Sequence, residues 1–452
     1  MKIVIATPHY PPHHIGGTEQ LSQRMALRLA ERGHSVQLVC IESITAPAGQ
    51  ALCEVEVDNG VTVYRLHYNQ AAAGDTRSWD FRNPLVQSWF AGFLAEQRPE
   101  IVHVFSGYLL SGSLIEAALD AGVKTVVTLL DFWFACPRIT LLRSDGQLCA
   151  EPVPPARCAW CRLAEKRRYR LSDQALGGRL GEVFTRLAAQ PGAAALLGAE
   201  PAVQLAAERR AYLQSVLARA DAVVTHSHFL EEKIRQYGFD SRRWVYLPNG
   251  LPQAARRPAP AAAAAGVLRI GYLGQIAPHK GVEVLLDAYL EMNARPGQAE
   301  LHIFGSLEQW PAYAQRLAQK AAGRPDIFLA GSFGAGEQAR VLAGLDVVVV
   351  PSIWFENRPT VILEAFAHGK PVITSRLGGM TEMVRHGVDG LLFTPGDAHD
   401  LAGQLRSLLG PHSRLEELRA GIGPVQRFED ELAQLEELYA RLLESQSEAV
   451  AA

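Results

Sequence analysis

Pro351-Ser352-Ile353-Trp354-Phe355-Glu356-Asn357-Arg358-Pro359-Thr360-Val361-Ile362-Leu363-Glu364-Ala365 is the stretch on which the reading of this chain turns. The run Asp346–Pro351 that leads into it has the length and β-branched content of a buried strand. A loop then carries Glu356, and the pattern from Thr360 to Gly369 is helical. A helix start leaves N–H groups unpaired and a partial positive charge, which together suit an anion. Glu364 falls about one turn inside that helix, where it can accept hydrogen bonds from vicinal hydroxyls. Glu356, on the loop, has the same capacity. Alone, either would read as a solvated charge. Separated by seven residues across a strand-to-helix junction, they read as a site.

The same rhythm extends in both directions. Leu268–Leu273 reads as a strand, followed by a glycine loop and a helix with Val282, Leu285, Leu286, Tyr289 and Leu290 on one face. Glu300–Phe304, Asp326–Ala330 and Pro371–Thr374 are further strands. Before them, Arg256–Gly266 holds Pro258, Pro260 and a run of alanines, the composition of an inter-domain linker. On its N-terminal side Lys2–Ala6, Val36–Cys40, Ile101–Phe105, Thr125–Leu130 and Ala222–His226 repeat the strand signal between helix-length amphipathic segments. Glu165–Arg219 breaks the rhythm and looks helical, interrupted at Pro191–Gly198, and opens on the basic run Lys166-Arg167-Arg168-Tyr169-Arg170. Asp430–Leu443 spaces Leu432, Leu435, Leu438 and Leu442 for one helix face. The expected organisation is an α/β domain over 1–255, with a Cys-rich segment at about 136–161 and a helical insertion at about 165–219. A linker at 256–266, a second α/β domain over 267–425 and a terminal helix over 426–452 complete it.

Composition sets the class. The chain has 452 residues, 48% hydrophobic and 20% charged, with a net charge of −3, which suits a soluble two-domain enzyme and gives no case for a nucleic-acid partner. No apolar run approaches the roughly 18–20 residues that cross a bilayer. Ile3-Val4-Ile5-Ala6 is strand-length and lacks a cleavage-site pattern, so the cytoplasm is the expected location. Cys136, Cys149, Cys158 and Cys161 fall in one irregular segment, and Cys158-Ala159-Trp160-Cys161 has knuckle spacing. The four would complete a structural zinc site with no open position for substrate; isolated buried cysteines are the other reading.

With Ala365-Phe366-Ala367-His368-Gly369-Lys370-Pro371-Val372-Ile373 and Gly378-Gly379-Met380-Thr381-Glu382, the opening block resembles family-four retaining glycosyltransferases of the GT-B fold. The resemblance implies two Rossmann-like domains facing across a cleft, with a nucleotide-diphosphate sugar on the second. Glu364 would hold the ribose hydroxyls and Glu356 the transferred sugar, with backbone around Asn357, Arg358, Pro359, Thr360 and Val361 facing the donor. Tyr272-Leu273-Gly274-Gln275-Ile276-Ala277-Pro278-His279-Lys280-Gly281 matches the family's strand-loop-helix segment. Gly274, Gln275 and Gly305 would line the donor, and Lys280 would face the diphosphate. No cofactor is implied for catalysis, because a fixed ammonium and helix-end amides stabilise a leaving diphosphate.

Pro8-His9-Tyr10-Pro11-Pro12-His13-His14-Ile15-Gly16-Gly17-Thr18-Glu19 resembles the family's acceptor-side loop, where paired glycines admit close approach of a ligand. Gly16, Gly17 and His103 are assigned there, and Asp131 joins Lys280 and Glu356 as a candidate catalytic residue. Pro248-Asn249-Gly250 resembles the turn before the domain crossover, and the last helix would cross back onto the first domain. Three positions depart from the pattern: Gln275 replaces a common arginine, and Leu130 and Phe105 replace histidines. They leave two other readings open, a catalytically quiet scaffold and a nucleotide-sugar epimerase. The acceptor implied is a glycan, a lipid-linked glycan or a small molecule. A peripheral contact with the cytoplasmic membrane face is expected from family habit and the Lys166–Arg170 run.

Overall fold

Short β-branched runs bury both faces only when helices cover them, and the chain does this twice. The computed structural model describes residues 1–452 except 15, 48, 51, 191, 253–265, 411–413 and 452. One compact unit comprises Met1–His226, Leu230–Leu247 and the chain from Leu432; the other comprises Ser227–Phe229 and Pro248–Glu431. The division thus falls at Pro248, and the expected linker, apart from Gly266, lies outside the described residues.

The first unit holds β1 (Lys2–Thr7), β2 (Ser35–Ser43), β3 (Cys53–Asp58), β4 (Val61–His67), β5 (Ile101–Phe105), β6 (Lys124–Leu129), β7 (Ala222–Thr225) and β8 (Trp244–Tyr246). Their order is β3-β4-β2-β1-β5-β6-β7-β8. All neighbours are parallel except β3 against β4. That hairpin is absent from the sequence reading, although Asp58-Asn59-Gly60 signals it. Asn59 and Gly60 both adopt positive φ, 47° and 89°, as a two-residue hairpin turn requires. After the helix Pro155–Leu163, which ends the Cys-rich segment, helices Arg167–Ala175, Arg179–Ala188, Ala193–Leu196 and Glu200–Arg219 make up the insertion, so a short helix occupies the expected interruption.

The second unit holds β9 (Leu268–Leu273), β10 (Ala299–Phe304), β11 (Ile327–Gly331), β12 (Val347–Val350), β13 (Val372–Ser375) and β14 (Gly390–Phe393), ordered β11-β10-β9-β12-β13-β14 and wholly parallel. Its two faces bury separate clusters, one with Ile270, Leu286, Tyr289 and Val349, the other with Val348, Val350, Ile362 and Ala365. The strand order reverses between β9 and β12. In open α/β sheets ligands bind at the carboxyl ends of strands flanking such a reversal.

The terminal helix runs Phe428–Ala451 and buries Leu432, Leu435, Leu438, Tyr439 and Leu442. Its Tyr439 hydroxyl lies 2.5 Å from His103 Nδ1, and His103 Nε2 lies 2.6 Å from Thr128 Oγ1. His103, expected on the acceptor side, is thus held by Tyr439 of the last helix and Thr128 of β6. It is 1% exposed on a central strand, with one ring nitrogen on the covering helix and the other on the neighbouring strand. Burial, with a smaller contribution from nearby His226, lowers its pKa from 6.5 to about 3. The unfolded chain then takes up a proton that the folded chain refuses. The stability tied to His103 is complete above pH 6.5 and is lost as pH falls from 6.5 toward 3. Calorimetric scans should show the first unit's midpoint dropping more steeply over that window in the parent than in His103→Gln. Equal slopes would show that this histidine is not buried neutral.

Candidate functional site

Two loops leave the sheet at its reversal, one after β9 and one after β12, and their side chains meet. Lys280 ends the short turn Pro278–Lys280, and its ammonium donates to Glu356 Oε1 at 2.7 Å. The Ser352 hydroxyl and the Trp354 indole N–H donate to the same oxygen, each at 2.7 Å. Lys280 Nζ also lies 4.9 Å from the Trp354 ring centre, a cation–π contact. Glu356 is 8% exposed. Burial works to raise its pKa, but the Lys280 charge and the three hydrogen bonds outweigh burial and hold it below the ordinary carboxylate value. His279, with burial first and Lys280 second, is depressed to about 4, so the residue beside Lys280 is neutral near pH 7.

Glycine makes the approach of the loops feasible. Gly281 sits at φ +71°, and a Cβ there would lie 1.9 Å from the Pro351 carbonyl oxygen. The Ile353 N–H donates to the His279 carbonyl at 3.0 Å, tying the loops together. From behind, the Gly379 N–H donates to the Glu356 carbonyl at 2.9 Å.

The helix Thr360–Ala367 begins at Pro359, whose ring supplies the required φ, and no side chain caps it. The Ile362 N–H donates to the Pro359 carbonyl at 3.1 Å, and the N–H groups of Thr360 and Val361 stand at a helix start, where anions are favoured. Thr360 is exposed, while Asn357, Arg358, Pro359, Val361 and Glu364 are half-buried. Gly274 and Gln275 are exposed at the end of β9, and Gly305 follows β10 beside them, its N–H donating to the Gly331 carbonyl at 2.9 Å. The sequence-assigned donor residues thus all fall on loops and a helix tip following β9, β10 and β12. Ser352, Trp354 and Gly281 were not assigned from sequence. Trp354 could have been, since it stands two residues before Glu356 on the same loop.

The first unit's assignments are more dispersed. Gly16 precedes the helix Gly17–Glu31 and accepts from the Gln20 N–H at 3.0 Å. Asp131 is drawn into its own loop: Oδ1 accepts from the Trp133 N–H and Oδ2 from the Ser106 hydroxyl, both at 2.8 Å. Burial raises its pKa against the pull of those bonds. Each oxygen accepts one hydrogen bond in this arrangement, which fixes the side chain's orientation and leaves further acceptor capacity. Cys136, Cys149, Cys158 and Cys161 converge on one small cavity, shared with Arg138, Arg143, Arg157 and Tyr237. As those side chains stand, no three or more His, Cys, Asp or Glu among the described residues form a set that could hold a metal ion.

The family model "Glycosyl transferase 4-like domain" matches residues 16–250 and "Glycosyl transferases group 1" matches residues 268–411. D-inositol 3-phosphate glycosyltransferase of Nocardia farcinica is 31% identical over 229 residues, covering 45% of this chain and 48% of that protein. A sulfoquinovosyl transferase of Arabidopsis thaliana is 33% identical over 141 residues, 30% of this chain and 26% of that one. The chain thus aligns with about half the length of the first of these relatives and about a quarter of the second. Among solved structures, sucrose-phosphate synthase of Thermosynechococcus elongatus aligns over 98% of this chain and 100% of its own, at a TM-score of 0.66 and 16% identity. Anabaena HepE in complex with UDP and glucose aligns over 97% of this chain and 99% of its own, at 0.62 and 17%. At such identities the likeness concerns the fold, two parallel-sheet α/β domains of the GT-B kind. With one family model covering the first half and its companion most of the second, this chain belongs to the glycosyl transferases of the 4-like and group 1 families.

Proposed function

We propose that the protein is a retaining glycosyltransferase that moves a sugar from a nucleotide-diphosphate donor held on its second unit. The observation that carries the proposal is the meeting of Lys280 and Glu356 at the sheet's reversal, beside an uncapped helix start with Glu364 one turn in. Unliganded, the ammonium is neutralised by one carboxylate. An arriving diphosphate carries more charge than Glu356, competes for Lys280 and frees Glu356 to accept from sugar hydroxyls. As the glycosidic bond breaks, negative charge grows on the leaving diphosphate. Lys280 and the N–H groups at Thr360 and Val361 then stabilise it where a divalent cation would otherwise be required. Glu364 accepts from the ribose hydroxyls. On the first unit, the Gly16–Gly17 loop is assigned to the acceptor.

The direct test incubates the protein with a panel of nucleotide sugars and glycan or lipid-linked acceptors and reads the product's anomeric proton by NMR. Transfer with the donor's configuration kept is expected. Donor turnover without acceptor and without nucleotide release would instead identify an epimerase, and binding without turnover a scaffold.

Membrane contact is part of the proposal. No helix among the described residues is long and apolar enough to cross a membrane. The insertion nevertheless exposes Leu171, Leu176, Val183, Leu187, Leu196 and Leu197, with Leu196 91% exposed, alongside exposed Arg167, Arg168, Arg170, Arg179 and Arg186. Apolar side chains among cations suit an anionic lipid surface. Co-sedimentation with phosphatidylglycerol vesicles should fall several-fold when Leu196 and Leu197 become serine. Unchanged sedimentation would remove this part of the reading.

A further inference from the structure

Residues 130–154 join β6 to the helix Pro155–Leu163 without a helix or strand of their own, beyond one isolated bridge from Leu142 to Leu148. So long an irregular connection inside a compact domain needs something to hold it. Its backbone is also tense: Ile139 and Leu141 have φ of 70° and 51°, conformations that branched and bulky side chains avoid. Such strain persists only where the surroundings over-determine it.

Cys136 and Cys149 from this connection, and Cys158 and Cys161 from the helix Pro155–Leu163, line one cavity. The cavity measures about 20 Å³, room for a single water-sized body and too little for a multinuclear cluster. Around it stand guanidinium groups in an unusual state. Arg157 is 2% exposed; one of its Nη atoms binds Asp145 at 2.8 Å, while its Nε and other Nη have no partner. The Nε atoms of Arg138 and Arg143, which line the same cavity, are likewise buried without a partner. Buried donors left unpaired are costly, and here several cluster beside four cysteine side chains.

One occupant accounts for both features. We propose that Cys136, Cys149, Cys158 and Cys161 form a structural tetrathiolate site for a single zinc ion. Without the ion, the four side chains line the cavity wall and form no closed ligand set. On binding, the dication takes four S–Zn bonds, four protons leave to solvent, and the centre carries a charge of −2. Rotation of the thiols about their side-chain bonds draws the sulfurs to about 2.3 Å from the ion. The unpaired N–H groups of Arg138, Arg143 and Arg157 then acquire thiolate acceptors, the second layer that metal sites require. With four protein ligands no position remains for substrate, so the ion pins the irregular segment and takes no part in transfer.

The test uses the intact, reduced chain. After loading with zinc and gel filtration, about one zinc per chain should remain, and a mercurial that titrates thiols should release it. Cobalt(II) loaded in its place should give the intense thiolate charge-transfer and tetrahedral d–d bands of a four-sulfur site. Cys53→Ser should keep its zinc, and Cys158→Ser with Cys161→Ser should lose it. Since loss of zinc in that double variant could equally follow from misfolding, the cobalt spectrum of the unaltered chain is decisive. An octahedral, sulfur-free cobalt spectrum, or no zinc retained by the reduced chain, would overturn the proposal. Neither readout depends on transferase activity.

Discussion

Replacing Lys280 by methionine is expected to cut turnover by roughly a hundredfold or more while weakening donor binding far less. Methionine keeps much of the side chain's length and removes the ammonium. The ground-state diphosphate retains its other contacts, whereas the charge that develops as the leaving group departs loses its nearest cation. A preorganised donor aimed at developing charge contributes about 3 kcal/mol, and that energy appears in kcat, not in binding. The same change leaves Glu356 nearly buried with its counter-charge gone. Its depressed pKa should therefore rise, since burial is then opposed only by the Ser352 and Trp354 hydrogen bonds. Steady-state kinetics beside donor titrations measure the split. A Lys280→Met enzyme with the parent's kcat would show that the ammonium has no role in bond cleavage.

Gly281→Ala is expected to damage the fold of the second unit and its donor site together. An alanine at φ +71° costs about 1 kcal/mol for backbone conformation alone. Its Cβ would also lie 1.9 Å from the Pro351 carbonyl oxygen, backbone that cannot swing aside as a side chain can. The loops after β9 and β12 must separate, which carries Lys280 away from Glu356. For a unit of this size each kcal/mol lost lowers the midpoint by about 2–4 °C. A total near 3 kcal/mol would thus read as a drop of about 6–12 °C, with donor binding lost in the same variant. A normal midpoint and normal binding would mean that the close loop approach is not needed.

Much of this was legible before any coordinates. Glu356 and Glu364 straddle a strand-to-helix junction in the sequence, and the structure places that junction after β12. The spacing of apolar runs is enough to locate most parallel strands to within a residue or two. Of the hairpin, β3 gives little signal because it lies on an outer edge with four of its six side chains exposed, whereas β4 buries Val61, Val63 and Leu66 and was open to reading. Pairwise geometry was less accessible. Nothing local to Lys280 says that it meets Glu356, 76 residues away; the meeting follows from strand order, which brings β9 beside β12. His103 illustrates the converse. Its covering partner, Tyr439, lies 336 residues on, so a histidine that resembles an active-site residue in sequence is buried under the last helix.

The account rests on the donor nucleotide seated at the helix tip that begins at Thr360. Isothermal titration of uridine, guanosine and adenosine diphosphates into the parent and into Glu364→Ala addresses it most directly. One of them should bind the parent and bind Glu364→Ala about 10- to 100-fold more weakly, the loss of hydrogen bonds to a charged acceptor. Equal affinity for both proteins would contradict it.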